Sequence, residues 1–91
     1  MKARLLRITG RVQGVGYRDW LVGAARRHGL WGWVRNRADG TVEALLAGEE
    51  DALQAVATAC RRGPPMALVT SIEESFAEPP EEAGFSRRPM P

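Results

Sequence analysis

The chain has little of what most metal and redox sites are built from. Among its 91 residues there is one cysteine, Cys60, and one histidine, His28. One cysteine closes no internal disulfide, and the two residues together cannot supply a zinc ligand set, so a metal would have to rest on carboxylates alone. No apolar run approaches the ~20 residues of a membrane-spanning helix. The opening MKARLLRIT lacks the apolar core and cleavage site of a secretory signal. A cytoplasmic location without a membrane partner is therefore expected. Acids are also scarce where cations are dense. Residues 1–37 hold nine Lys or Arg and a single acid, Asp19, for a net +8, whereas residues 38–91 hold four Arg and ten acids, for a net −6, which leaves +2 for the whole. A basic first half implies an anionic partner, a small phosphate or a nucleic acid, unless the two halves interleave in the fold and neutralise each other.

What is present reads as one domain over residues 1–91, since a chain this short buries roughly 60–65% of its unfolded surface and has room for one core. Residues 4–12 alternate, with Leu6, Ile8 and Val12 on one face and Arg7, Thr9 and Arg11 on the other. Residues 18–28 carry Leu21, Ala24 and Ala25 at helical spacing, and Gly29 closes that helix. Residues 31–36 and 41–47 read as two strands joined at Asp39-Gly40, a pair suited to a hairpin. Leu53, Val56, Ala57 and Cys60 mark a second amphipathic helix that starts in acids and ends at GPP. Residues 67–76 give a fourth strand, and FSRR a short fifth at 84–88. The order β-α-β-β-α-β predicts a ferredoxin-like α+β sandwich: an antiparallel sheet of four to five strands with two helices on one face.

The stretch GRVQGVGYR, residues 10–18, falls where the first strand hands over to the first helix. It matches neither the Walker loop nor the dinucleotide fingerprint, because Asp19 stands where the latter needs its third glycine. A glycine-rich turn into a helix can nonetheless aim several backbone N–H groups at one anion, with the positive helix end behind them. Gly14 and Gly16 leave the approach open, and the Arg18 fork suits a phosphate. From the residues alone, a tight turn without a ligand, which is common, remains open.

GRVQGVGYR, followed by GLWGWVRNRADGTVEALLAG and then GPPMALV, resembles the acylphosphatase family over residues 4–72. The resemblance implies hydrolysis of an acyl phosphate to a carboxylate and orthophosphate, with no metal and no organic cofactor. It implies that the loop Gln13, Gly14, Val15, Gly16 and Tyr17 binds the phosphate through its amides, that Arg18 is the phosphate-binding arginine, and that Asn36 is the catalytic asparagine. Strand parity agrees: Asn36 shares the face of Val34, which is the face carrying Leu6 and Ile8. Two departures stand out. The family usually has phenylalanine where this chain has Tyr17, whose hydroxyl needs a partner, and the last strand carries Arg87 where alternation with Phe85 calls for an apolar residue.

Other residues invite other readings. Trp31, Trp33 and Arg35 share a strand face, and a basic aromatic sheet is how some domains of this topology bind RNA. The first and third strands carry no aromatic, so no nucleic-acid partner is expected. His28 reads as a partly covered helix-end residue and Trp20 as packing. A phosphate- or carbamoyl-phosphate-binding module, as found within larger hydrogenase-maturation proteins, is the alternative class; a free-standing chain of 91 residues favours the enzyme. The expected partners are a small-molecule acyl phosphate and inorganic phosphate, as product and inhibitor, and a monomer is expected.

Overall fold

The alternation of apolar residues along the strands is what assembles this chain. The computed structural model describes residues 1–91. The elements are β1 (Lys2–Arg11), α1 (Tyr17–Arg27), β2 (Trp31–Asn36), β3 (Val42–Gly48), α2 (Glu50–Cys60), β4 (Leu68–Phe76) and β5 (Phe85–Arg87). They form one five-stranded sheet in the order β4-β1-β3-β2-β5. The pairs β1–β3, β1–β4 and β2–β3 are antiparallel, as the sequence predicts. The fifth strand differs: it lies parallel to β2, with Val34 opposite Arg87, so the sheet is mixed. It spans only three residues because Phe85 is its one buried side chain, and the chain turns polar directly after it.

Leu6, Ile8, Val34, Val42, Ala44 and Leu46 from the sheet meet Leu21 and Ala25 of α1 and Leu53, Val56 and Cys60 of α2 in one buried core. Both helices therefore cover the same face. The other face is not bare. Ala3, Leu45 and Ala47 form a smaller buried cluster there, flanked by Leu5, Trp31 and Trp33. His28 is exposed rather than partly covered. It follows α1 directly, and its ring Nδ1 lies 2.9 Å from the Ala24 carbonyl oxygen, at the end of the helix that favours a cation.

The charge asymmetry of the sequence resolves in part by interleaving, for four of the nine cations of residues 1–37. Lys2 and Arg4 pair with Glu50, Arg4 also with Glu74, and Arg35 and Arg37 with Glu43, so first-half cations meet second-half acids. The Glu43 carboxylate is nearly covered and accepts from Arg35 Nε at 2.7 Å and Arg37 Nη1 at 3.1 Å. Burial alone would raise its pKa, but the hydrogen bonds and charges of the two arginines outweigh that and hold the carboxyl below its usual range.

The β2–β3 hairpin that carries this cluster is tightly fixed. Gly40 N–H donates to the Arg37 carbonyl (3.1 Å) and Arg37 N–H to the Thr41 carbonyl (2.9 Å), while Asp39 Oδ1 accepts from the Thr41 hydroxyl (2.6 Å) and amide (3.0 Å). The positive φ expected of Asp39-Gly40 falls on Gly40 alone, at 90°, as in a three-residue hairpin loop. Because Glu43 titrates lower when folded than when unfolded, its contribution is complete above the unfolded pKa and is lost as pH falls through the folded one. Glu43→Gln is thus expected to cost about 1–2 kcal/mol at neutral pH and to flatten the loss of stability below about pH 5. Thermal unfolding of both proteins between pH 7 and 2.5 checks this; parallel curves would remove Glu43 from the acid transition.

Candidate active site

The turn between β1 and α1 is shaped by two glycines. Gly14 and Gly16 have φ of 74° and 81°, a region that side-chain-bearing residues rarely adopt, and a Cβ at either would meet no atom within 4 Å. The requirement is one of conformation, and it leaves the backbone uncovered. Gly16 is also the N-cap of α1 and provides no side-chain cap. The first-turn N–H groups of that helix consequently lack an acceptor within the helix and point outward, with the positive end of the dipole behind them.

These groups open into a cleft of about 80 Å³, lined among others by Gly14, Gly16, Tyr17, Arg18, Asp19, Asn36 and Arg87. That is well below the roughly 300–1,000 Å³ of sites for drug-sized ligands, so it suits a small anion and a water. Larger hollows of about 250 and 460 Å³ flank β5, but the first sets Glu81 and Glu82 against Arg88 and the second Glu82 against Arg26, so neither has an excess of positive charge for a phosphate.

The residues singled out from the sequence divide accordingly. Arg18, in the first turn of α1, and Asn36, at the end of β2, reach the same cleft although β3 lies between β2 and β1, the strand that leads into α1. The Asn36 Oδ1 is buried there without a hydrogen-bond partner. Such an atom costs about 1–3 kcal/mol unless a ligand or water donates to it. The side chains of Gln13 and Val15 do not line the cleft. Val15 packs against the core. The Gln13 amide donates to the Arg37 and Thr41 carbonyls, at 2.8 and 2.9 Å, and so ties the turn to the hairpin that carries Asn36.

The Tyr17 hydroxyl finds its partner inside the protein, donating to the Cys60 carbonyl at 2.6 Å, at the end of α2. Burial pushes the Tyr17 hydroxyl pKa upward and the Cys60 thiol up to about 12, so both stay protonated and neither is a nucleophile. Sequence reasoning did not place Asp19 and Arg87 at the cleft, which both line and where their carboxylate and guanidinium pair. The one signal was Arg87 itself, a charge at an apolar position.

The family model for acylphosphatase matches residues 5–87. An acylphosphatase of Acidiphilium cryptum is 62% identical over 88 residues, covering 97% of each chain. The chain belongs to the acylphosphatase family. The crystal structure of acylphosphatase from Bacillus subtilis superposes with a TM-score of 0.91 at 39% identity, over 97% of this chain and 99% of that one. Full-length HypF in its phosphate- and nucleotide-bound form contains a similar unit, with a TM-score of 0.90 and 26% identity, covering 98% of this chain but 12% of HypF. The chain is thus an enzyme that hydrolyses acyl phosphates.

The Tyr17 hydroxyl is set apart from that chemistry by its position under the core. Tyr17→Phe is expected to leave kcat within about twofold while costing about 1–2 kcal/mol, because the Cys60 carbonyl loses its donor. Denaturant unfolding together with acyl phosphate turnover tests it; a large loss of rate at unchanged stability would place the hydroxyl in the reaction.

Proposed function

We propose that residues 1–91 act as a single catalytic domain in which the Gln13–Tyr17 backbone amides and the Arg18 guanidinium hold the phosphate of an acyl phosphate, and Asn36 orients the attacking water. The observation that carries this reading is the orphaned Asn36 Oδ1, buried in the same cleft as Arg18 and the uncapped end of α1. An acceptor in that place takes a hydrogen from a water and turns the water's lone pair toward phosphorus. The water attacks in line, the bond between phosphorus and the acyl oxygen breaks, the carboxylate leaves with the electron pair, and the water's proton passes to a substrate oxygen. Acyl phosphates are mixed anhydrides with a good leaving group, so positioning and fixed charge suffice. The one carboxylate lining the cleft, Asp19, is engaged by Arg87 and is not a free base.

The same features bear on partners. Product orthophosphate fits the cradle and acts as a competitive inhibitor. No metal and no organic cofactor takes part, since loop amides and Arg18 meet the phosphate charge. Nucleic acid is not a ligand: the Arg35 and Arg88 guanidinium carbons lie 4.7 and 5.0 Å from the centre of the Trp33 ring and occupy the surface on which a base would stack. The enzyme works as a cytoplasmic monomer; no helix of the chain is long and apolar enough to cross a membrane.

Two substitutions separate the roles. Asn36→Ala is expected to lower kcat by ~10²–10³-fold while changing orthophosphate inhibition little. Arg18→Ala is expected to weaken orthophosphate inhibition by ~10–100-fold, and Arg18→Lys to restore little of it because a point charge lacks the planar fork. Steady-state hydrolysis of benzoyl phosphate, with unfolding midpoints measured alongside, gives both numbers. A folded Asn36→Ala variant with normal kcat, or one whose inhibition weakens in step with its rate, would overturn the assignment.

A further inference from the structure

Arg87 is out of pattern. Phe85, two residues before it, is 3% exposed in the core, so strand alternation would place another apolar side chain at 87. An arginine stands there instead, on the helix-covered face and opposite Val34, two residues short of Asn36 on the neighbouring strand. Its side chain passes beyond the edge of the core and reaches the cleft, where Nη1 donates to Asp19 Oδ1 at 2.5 Å. No other protein acceptor takes the remaining guanidinium N–H groups.

A stabilising staple between β5 and α1 is the plain alternative, but it is energetically weak. The two side chains are 44% and 71% exposed, and ion pairs that open to solvent contribute little to stability. The position has a stronger electrostatic consequence. Asp19 lies in the first turn of α1, beside the cradle, where a bare carboxylate would repel a phosphate dianion. Arg87 cancels that charge and still has a free edge. A guanidinium carries five donors in one plane, so it can hold a carboxylate on one edge and an oxyanion on another.

Resting on the phosphate-cradle reading above, we propose that Arg87 is a second substrate-binding cation of this enzyme. Asp19 anchors its guanidinium at the mouth of the cleft, and its free donors bind a phosphate oxygen opposite Arg18. The phosphate is held from two sides, by α1 and by the C-terminal strand. Asp19 is a positioning residue and does not touch substrate.

The experiment compares the full chain with Arg87→Met, Arg87→Gln, Asp19→Asn and Arg18→Ala, measuring orthophosphate binding by calorimetry and benzoyl phosphate kinetics at fixed ionic strength. Both Arg87 variants are expected to weaken phosphate binding and raise KM by ~3–30-fold, with kcat changed less than about threefold. Asp19→Asn is expected to bind phosphate as tightly as the parent or more so, because it removes a negative charge while its amide oxygen still accepts from the Arg87 guanidinium. Unchanged phosphate affinity in either folded Arg87 variant overturns the proposal. So does an Asp19→Asn loss equal to that of Arg87→Met with a matching fall in Tm, which is the signature of a staple. Arg18→Ala distinguishes the levels: if it keeps phosphate affinity the cradle itself has been misplaced, whereas if it alone loses affinity only the role of Arg87 falls.

Discussion

Two hydrogen bonds from the Gln13 side-chain amide hold the functional architecture together. The strands that deliver the glycine turn and Asn36 are not neighbours: β3 runs between β1 and β2. The turn must therefore cross the start of β3 to reach Asn36. Gln13 spans that gap by donating to the carbonyls of Arg37 and Thr41, which flank the hairpin loop on either side. Neither carbonyl is spare, since Thr41 O also accepts from Arg37 N–H and Arg37 O from Gly40 N–H. One side chain thus fixes the turn to a loop that is itself fixed, and Asn36 adjoins Arg37, the residue that enters that loop. Positioning to within fractions of an ångström is what a reaction driven by orientation demands.

Around this tie, charge is sorted by face. On the far side of the sheet, Arg35 and Arg37 are consumed by Glu43, and at the β1 end Lys2 and Arg4 are consumed by Glu50 and Glu74. These pairs consume four of the nine cations of residues 1–37, while Arg7, Arg11, Arg26 and Arg27 stay exposed without an acid partner. What remains at the cleft is local: Arg18 without an ion-pair partner, the end of α1, and the Asp19–Arg87 pair. In the proposed mechanism a small anion is selected by the concentration of donors at one point, and the cleft of about 80 Å³ limits its size.

Much of this was legible in the sequence because strand parity is a local property. Period-two alternation in β1 and β2 assigned Leu6, Ile8, Val12 and Val34 to one face, and all lie in the core. The same parity put Asn36 on the side of α1, where the cleft is. What escaped depends on register between distant segments, which periodicity does not encode. The Gln13 acceptors are 24 and 28 residues away, and the Tyr17 acceptor is 43. The parallel pairing of β5 with β2 was equally hidden, since a three-residue strand has too few side chains to show a face. Arg87 was visible only as a weakness in the last strand; the residue that spoiled the alternation is the one that reaches the cleft.

The Tyr17 contact shows why the helix that begins at the cradle is a stable platform despite its uncapped start. An N-terminus without a side-chain cap forgoes about 0.5–2 kcal/mol, and filling it with a Ser or Asp cap would satisfy the amides that hold the phosphate in the proposed mechanism. The cost is offset one residue further in. The Tyr17 ring is 1% exposed, packs edge-on to Trp20 with centroids 5.4 Å apart, and sends its hydroxyl to the last carbonyl of α2. A Cβ on Gly63 would lie 2.6 Å from that ring, so the segment after α2 closes over it without room to spare. The stability that a cap would have given α1 is supplied from beneath, by tertiary packing on α2, and the amides above stay available to an anion.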